Sequence, residues 1–141
     1  MPFIIHLIYW FSKRDDGMTP GSEIAFDAII RRDLETLKKH PFWDESSPYR
    51  DPKAFRDMTD PCGQTMLVAA TYAGDVSTVK FLVEKVKVDV NQRAKCGEHP
   101  LYLAFHLLEI DVLKYLCSLP NIDLEAEEKN GAKIGHKMLP L

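Results

Sequence analysis

Cys96 and His99, three residues apart, with Cys62 and His106 elsewhere in the chain, are the residues whose types could do chemistry. A structural zinc site wants four convergent Cys or His ligands, and this spacing supplies half of one motif, so no metal is expected. A Cys nucleophile with a His base needs a third group, an Asn or Asp, to orient the imidazole. The sequence marks none. It also has no Gly-rich phosphate loop and no paired carboxylates on a recognisable scaffold. The expectation is a chain that is not an enzyme and takes no cofactor.

The elements that must position these residues follow a ruler. Gly63, Gly97 and Gly131 stand 34 residues apart (97 − 63 and 131 − 97), and a fixed period of that size marks a stacked repeat array. Laid backwards, with Gly21 in the place of Gly63, it puts Ala28 with Ala70 and Ala104, Leu34 with Val76 and Ile110, and Leu37 with Val79 and Leu113. Asp33, Asp75 and Glu109 also coincide, each just ahead of a helix, where an acidic group favours unpaired amides and the positive dipole end. Gly21 to Gly63 is 42 residues, eight too many. The excess lies in a segment punctuated by Pro41, Pro48 and Pro52, in which Asp51 and Pro52 read as the N-cap and first residue of a short helix. Insertions in repeat arrays often form the binding face, so Trp43, Tyr49 and Phe55 are candidate contacts. The other reading is that Trp43 and Phe55 fold back over the thin first repeat.

Composition limits the classes of function. A chain of 141 residues, 45% apolar and 28% charged, is an ordinary globular domain. A net charge of −3 argues against nucleic acid, because Lys85, Lys87, Arg93 and Lys95 are offset by Glu125, Glu127 and Glu128. Three cysteines, an odd number, point to a reducing compartment, cytoplasmic or nuclear. Register places Cys62 and Cys96 about 8–10 Å apart, beyond the ~7 Å a disulfide allows, and Cys117 reads as a small buried hydrophobe. The run Phe3 to Phe11 is nine residues long, short of the roughly 20 that span a bilayer, and its flanks are not those of a secretory signal. Residues 1–20 read as an apolar cap over the end of the first repeat. Interfacial tethering to a membrane through residues 3–11 is the minor alternative.

Within residues 63–91, Thr65 to Ala73 reads as an inner helix, Gly74 as a turn, and Ser77 to about Lys85 as an outer helix. Gly63, Thr65, Leu67, Ala70, Gly74, Val79 and Leu82, then Gly97, Pro100, Leu101, Ala104 and Leu116, resemble the ankyrin repeat. Val88-Asp89-Val90-Asn91 and Asn121-Ile122-Asp123-Leu124-Glu125 resemble its junctions. The resemblance implies an all-α solenoid of stacked helix-loop-helix units with hairpin-like loops. Its units are repeat 1 at 21–59 (insertion 41–59), repeat 2 at 60–91, repeat 3 at 92–125 and a partial repeat 4 at 126–141. Against the family pattern, Ala25 replaces Leu, Arg32 replaces Gly and His40 replaces a terminal Leu, as a terminal repeat with one face in water would tolerate. Leu108, in the place of Gly74, is expected to strain or reshape its turn. His99 stands at a Thr position and reads as a helix-start hydrogen-bonding residue.

The same resemblance implies a non-catalytic scaffold or adaptor that binds a protein through a concave surface of inner helices and hairpin tips. The contact positions it implies are Pro61, Cys62, Gln64, Tyr72 and Ala73 in repeat 2, and Lys95, Cys96, Glu98, His106 and Leu107 in repeat 3. Asn91 resembles the asparagine that hydroxylases modify in some ankyrin proteins. The unfinished hairpin at Gly131 either caps the array or leads into further repeats or a domain. In the latter case the chain would be a regulatory or structural segment docking on a neighbour.

Overall fold

The computed structural model describes residues 21–124; the apolar run Phe3 to Phe11 and the hairpin at Gly131 lie outside the described residues. Three helix pairs follow one another: α1 (Ser22–Ile30) with α2 (Leu34–Lys38), then α4 (Met66–Ala73) with α5 (Val76–Phe81), then α6 (Pro100–His106) with α7 (Ile110–Cys117). A short helix, α3 (Pro52–Arg56), lies in the insertion. Among the described residues no strand forms; Thr59 and Thr65 make one isolated antiparallel bridge. The 34-residue ruler implies a stacked repeat, and the all-α architecture is the one the resemblance to the ankyrin repeat implies.

Local chemistry starts these helices. Asp33 accepts from the Thr36 amide at 3.1 Å and from its hydroxyl at 2.6 Å, and Asp75 accepts from the Ser77 amide at 3.2 Å and the Thr78 hydroxyl at 2.7 Å. Asp51 accepts from the Ala54 amide at 3.1 Å, with Pro52 at the first helical position. Glu109 holds the equivalent place ahead of α7 but makes no cap bond. Its carboxylate lies over Gly74 instead, where an added Cβ would come within 2.6 Å of Oε2. The turn from inner to outer helix is left-handed in all three described helix pairs, at Arg32 (φ 57°), Gly74 (φ 69°) and Leu108 (φ 57°). Geometry there follows the register and not the residue, so Arg32 and Leu108 carry the strain that glycine escapes.

The inner helices stack as α1 on α4 on α6, and α7 packs on α5 in the outer layer. Ala28, Ala70 and Ala104, each fully buried, let the inner backbones approach, while Leu37, Val79 and Leu113 fill the space behind them. Leu82 and Leu116 end the outer layer with no exposed surface. His40 occupies that same column. The water-facing role expected of it is corrected: His40 is 1% exposed, and its ring satisfies both nitrogens. Nδ1 accepts from the Phe42 amide at 3.1 Å, which leaves Nε2 to donate to the Gly21 carbonyl at 3.0 Å. Burial pushes its pKa down to about 4, against the weaker opposing pull of the Gly21 bond.

The insertion folds back. Phe55 is fully buried, its ring 5.1 Å from His40 and 5.6 Å from Trp43. Trp43 meets Phe81 edge-on at 5.6 Å, between α2 and α5. Arg56 Nε donates to the Val86 carbonyl at 3.0 Å, one of the acceptors a helix end leaves unpaired. The insertion therefore bridges the first two repeats.

The outer helix of repeat 2 covers the expected residues in two helical forms, and one further expectation, for Cys117, is corrected. The outer helix of repeat 2 ends as α-helix at Phe81 and widens into a π-helical turn, Leu82–Val86, with the Lys87 and Val88 amides both reaching the Leu82 carbonyl. Cys117 is exposed and not buried. The buried stripe of α7 is Val112, Leu113 and Leu116, and one residue further turns the side chain about 100° away.

Candidate protein-interaction surface

A tight hairpin precedes each of the inner helices α4 and α6. The Asp60 amide donates to the Gln64 carbonyl at 3.1 Å and the Gly63 amide to the Asp60 carbonyl at 2.9 Å. The Gln64 amide donates to the Asp60 carboxylate at 2.8 Å. One repeat on, the Ala94 amide reaches the Glu98 carbonyl at 2.9 Å and the Gly97 amide the Ala94 carbonyl at 2.8 Å. Adjacent tips are tied together, since the Lys95 amide donates to the Gly63 carbonyl at 3.0 Å. Gly63 has φ +80°, and a Cβ there would overlap that of Lys95; only glycine fits this approach. Pro61, Cys62, Lys95 and Cys96 stand exposed at the tips, with Gln64 and Glu98 half-buried behind them.

Behind the tips the helices are capped from the side chain. Thr65 accepts from the Val68 amide at 3.2 Å, and His99, in its register position, accepts through Nδ1 from the Leu101 amide at 3.1 Å. The helix-start reading of His99 holds. Its Nε2 is buried and has no hydrogen-bond partner among the described residues. Burial, and next the charge of Arg93, push its pKa down to about 4. Cys96 is exposed while His99 is buried, so the two side chains do not converge on one site.

Further along the inner helices, Tyr72 is 44% exposed and Leu107 39%; His106 is exposed and Ala73 half-buried. The Tyr72 hydroxyl donates to Glu98 Oε1 at 3.0 Å across the seam between repeats 2 and 3. Burial, and then Glu98, raise the Tyr72 pKa. His106 lies obliquely against Tyr102, ring centres 5.3 Å apart. The structure thus brings Tyr72 to Glu98 and Lys95 to Gly63, but pairs His106 with a residue outside the expected set. Sequence reasoning also missed Ile30, which is 70% exposed. The signal was present: 30 + 42 = 72 and 72 + 34 = 106, so Ile30, Tyr72 and His106 share one register position.

A family profile described as ankyrin repeats (3 copies) matches residues 28–128. The chain is an ankyrin-repeat protein. A chain in the crystal structure of the yeast ribosomal protein Rps3 in complex with its chaperone Yar1 is similar in fold to this one. The two share 20% sequence identity and a TM-score of 0.53 over 77% of this chain and 71% of that one. No curated protein shows a matching sequence.

In ankyrin terms the remaining candidates separate. Asn91 sits in a repeat junction, where its Nδ2 donates to the Asn121 carbonyl at 2.8 Å and its Oδ1 accepts from the Asp123 amide at 2.9 Å. Both ends of the amide therefore hold the next junction in place. Of the insertion candidates, Phe55 is corrected, because a fully buried ring cannot reach a partner. Trp43 is half-buried on the outer-helix side, and Tyr49 is 38% exposed.

Proposed function

We propose that this ankyrin-repeat chain is a non-catalytic interaction module that takes a protein partner on its concave face of inner helices and hairpin tips. The observation that carries this reading is the column Ile30, Tyr72 and His106, flanked by Leu107, exposed on stacked helices whose backbone is already ordered. Such a surface loses little entropy on association, and tyrosine is the rigid amphipathic anchor that dominates interfaces. The buried imidazoles of His40 and His99 have structural work in this reading, at the end of one helix and the start of another.

The test is affinity capture with quantitative mass spectrometry, comparing wild type with the double variant Tyr72→Ala, His106→Ala. Loss of the specific partners with retained helicity is expected; an unchanged set of partners overturns the reading. A second reading, docking on a neighbouring domain or further repeats, is favoured by the exposure of Leu108 (74%), Ile110 (49%) and Leu124 (44%) around repeat 3. Concentration-dependent self-association of the isolated chain, abolished by Ile110→Lys, would favour it over the first.

A further inference from the structure

We propose that the outer-helix face carries a second docking groove, independent of the concave surface, for an acidic segment of a protein partner that bears an aromatic or large aliphatic anchor. The groove encloses about 530 Å³ between α2, the insertion and α5. Its floor is Leu34, Trp43 and Phe81, with the two rings edge-on at 5.6 Å. An apolar side chain entering there would lie against surfaces that are already packed and ordered.

The rim decides what accompanies the anchor. Arg50 stands 5.1 Å over the Trp43 ring, and Lys38 stands 5.9 Å over Phe81. Lys80 then stands 5.6 Å over Tyr115, repeating the Lys38 arrangement one repeat along: 38 + 42 = 80, and Tyr115 is the register equivalent of Phe81. Aromatic faces position these cations without neutralising them. Arg50, Lys80 and Lys85 line the groove and have no carboxylate within ion-pair distance among the described residues. Of the acids on the same rim, Asp44 is engaged by the Ser46 amide and hydroxyl at 3.0 and 2.9 Å. Arg50 donates to the Trp43 carbonyl and, after the Ser46 hydrogen bonds, helps to lower the pKa of Asp44. Lys38 pairs with Glu35, so Lys80 and Lys85 are the cations left for carboxylates on a partner.

Lys80 also borders a smaller hollow of about 370 Å³, lined further by Val76, Asp111, Lys114 and Tyr115. The two hollows adjoin at Lys80, which suits a short extended segment with its anchor in the larger one. Glu45 and Glu84 stand on the same rim and repel any anion beside them. The occupant is therefore a peptide whose carboxylates can be spaced to meet Lys80 and Lys85, which the fixed, continuous phosphates of a nucleic-acid strand cannot do.

Fluorescence anisotropy with the whole chain tests this, using a labelled peptide of Asp and Glu around one central Phe. Three comparison ligands are the same peptide with Gly for Phe, a Lys-for-acid version, and a single-stranded oligonucleotide of equal length. Saturable binding of the acidic Phe peptide is expected, weakened about tenfold by the Gly replacement and about tenfold by Lys80→Glu with Lys85→Glu. The milder pair Lys80→Ala, Lys85→Ala should weaken it less, and Tyr72→Ala should leave it unchanged. The inference is overturned by absence of saturation below about 1 mM, by equal or tighter binding of the basic peptide or oligonucleotide, or by indifference to both Lys pairs. Failure of the concave-face capture experiment leaves these outcomes unaffected, since the two surfaces share no residue.

Discussion

The Tyr72 hydroxyl donates to Glu98 Oε1 at 3.0 Å, joining two residues of different repeats that both belong to the proposed contact surface. The bond orients the exposed ring before any partner arrives. Tyr72→Phe keeps the ring and loses the tether. Because the pair is exposed, stability should fall by less than about 1 kcal/mol in urea unfolding, while partner capture falls far less than with Tyr72→Ala. Equal loss of capture in both variants would show that the hydroxyl, not the ring, is what the partner reads.

His40 and His99 should make stability depend on pH. Both are neutral in the fold, with pKa values pushed down to about 4 by burial, against about 6.5 in the unfolded chain. The unfolded state therefore binds more protons between these values. Stability is complete above about pH 6.5 and is lost as pH falls towards 4, at up to about 3 kcal/mol per pH unit with both groups acting. Asp33 and Asp44, whose pKa values are lowered by their hydrogen bonds to Thr36 and Ser46, add their own loss at lower pH still. Urea midpoints at about pH 7.5 and about pH 5 check this. Equal midpoints would contradict it, and His40→Leu should flatten part of the slope.

Gly63→Ala should be severely destabilising for a surface glycine. The new Cβ meets Lys95 Cβ, which cannot swing aside as a side-chain terminus could, and φ is +80°. A cost of about 2 kcal/mol or more is expected from the left-handed strain and the clash together. Thermal unfolding by circular dichroism measures it, and a midpoint equal to that of wild type would show that the hairpin tips are not locked together.

Leu108→Gly should act in the opposite direction. Leu108 is 74% exposed with φ 57°, so glycine loses little burial and relieves a left-handed strain of about 1–2 kcal/mol; a gain of about 1 kcal/mol is the expected result of urea unfolding. A loss of stability would mean that the Leu108 side chain holds the edge of repeat 3.

The fold was legible because the repeat writes its register into the chain. Gly21, Gly63 and Gly97 all take positive φ, and the Ala28, Ala70 and Ala104 column is buried throughout. His40 was misjudged because register gives a position and not its environment: the insertion, which has no counterpart in the other repeats, brings Phe55 over the ring and seals it. Ile30 was readable from the same ruler as Tyr72 and was overlooked because repeat 1 looked degenerate. The groove floored by Trp43 and Phe81 could not be read from spacing, since it depends on how an irregular segment folds back on the outer helices.

The central claim is that the concave face binds a protein, and hydrogen exchange of the complex with the partner recovered by capture tests it most directly. The account predicts slowed exchange in residues 60–74 and 94–107, with Ile30 at the end of α1 included. Protection confined to the outer helices α2, α5 and α7, with the hairpin tips and inner helices unchanged, would contradict it.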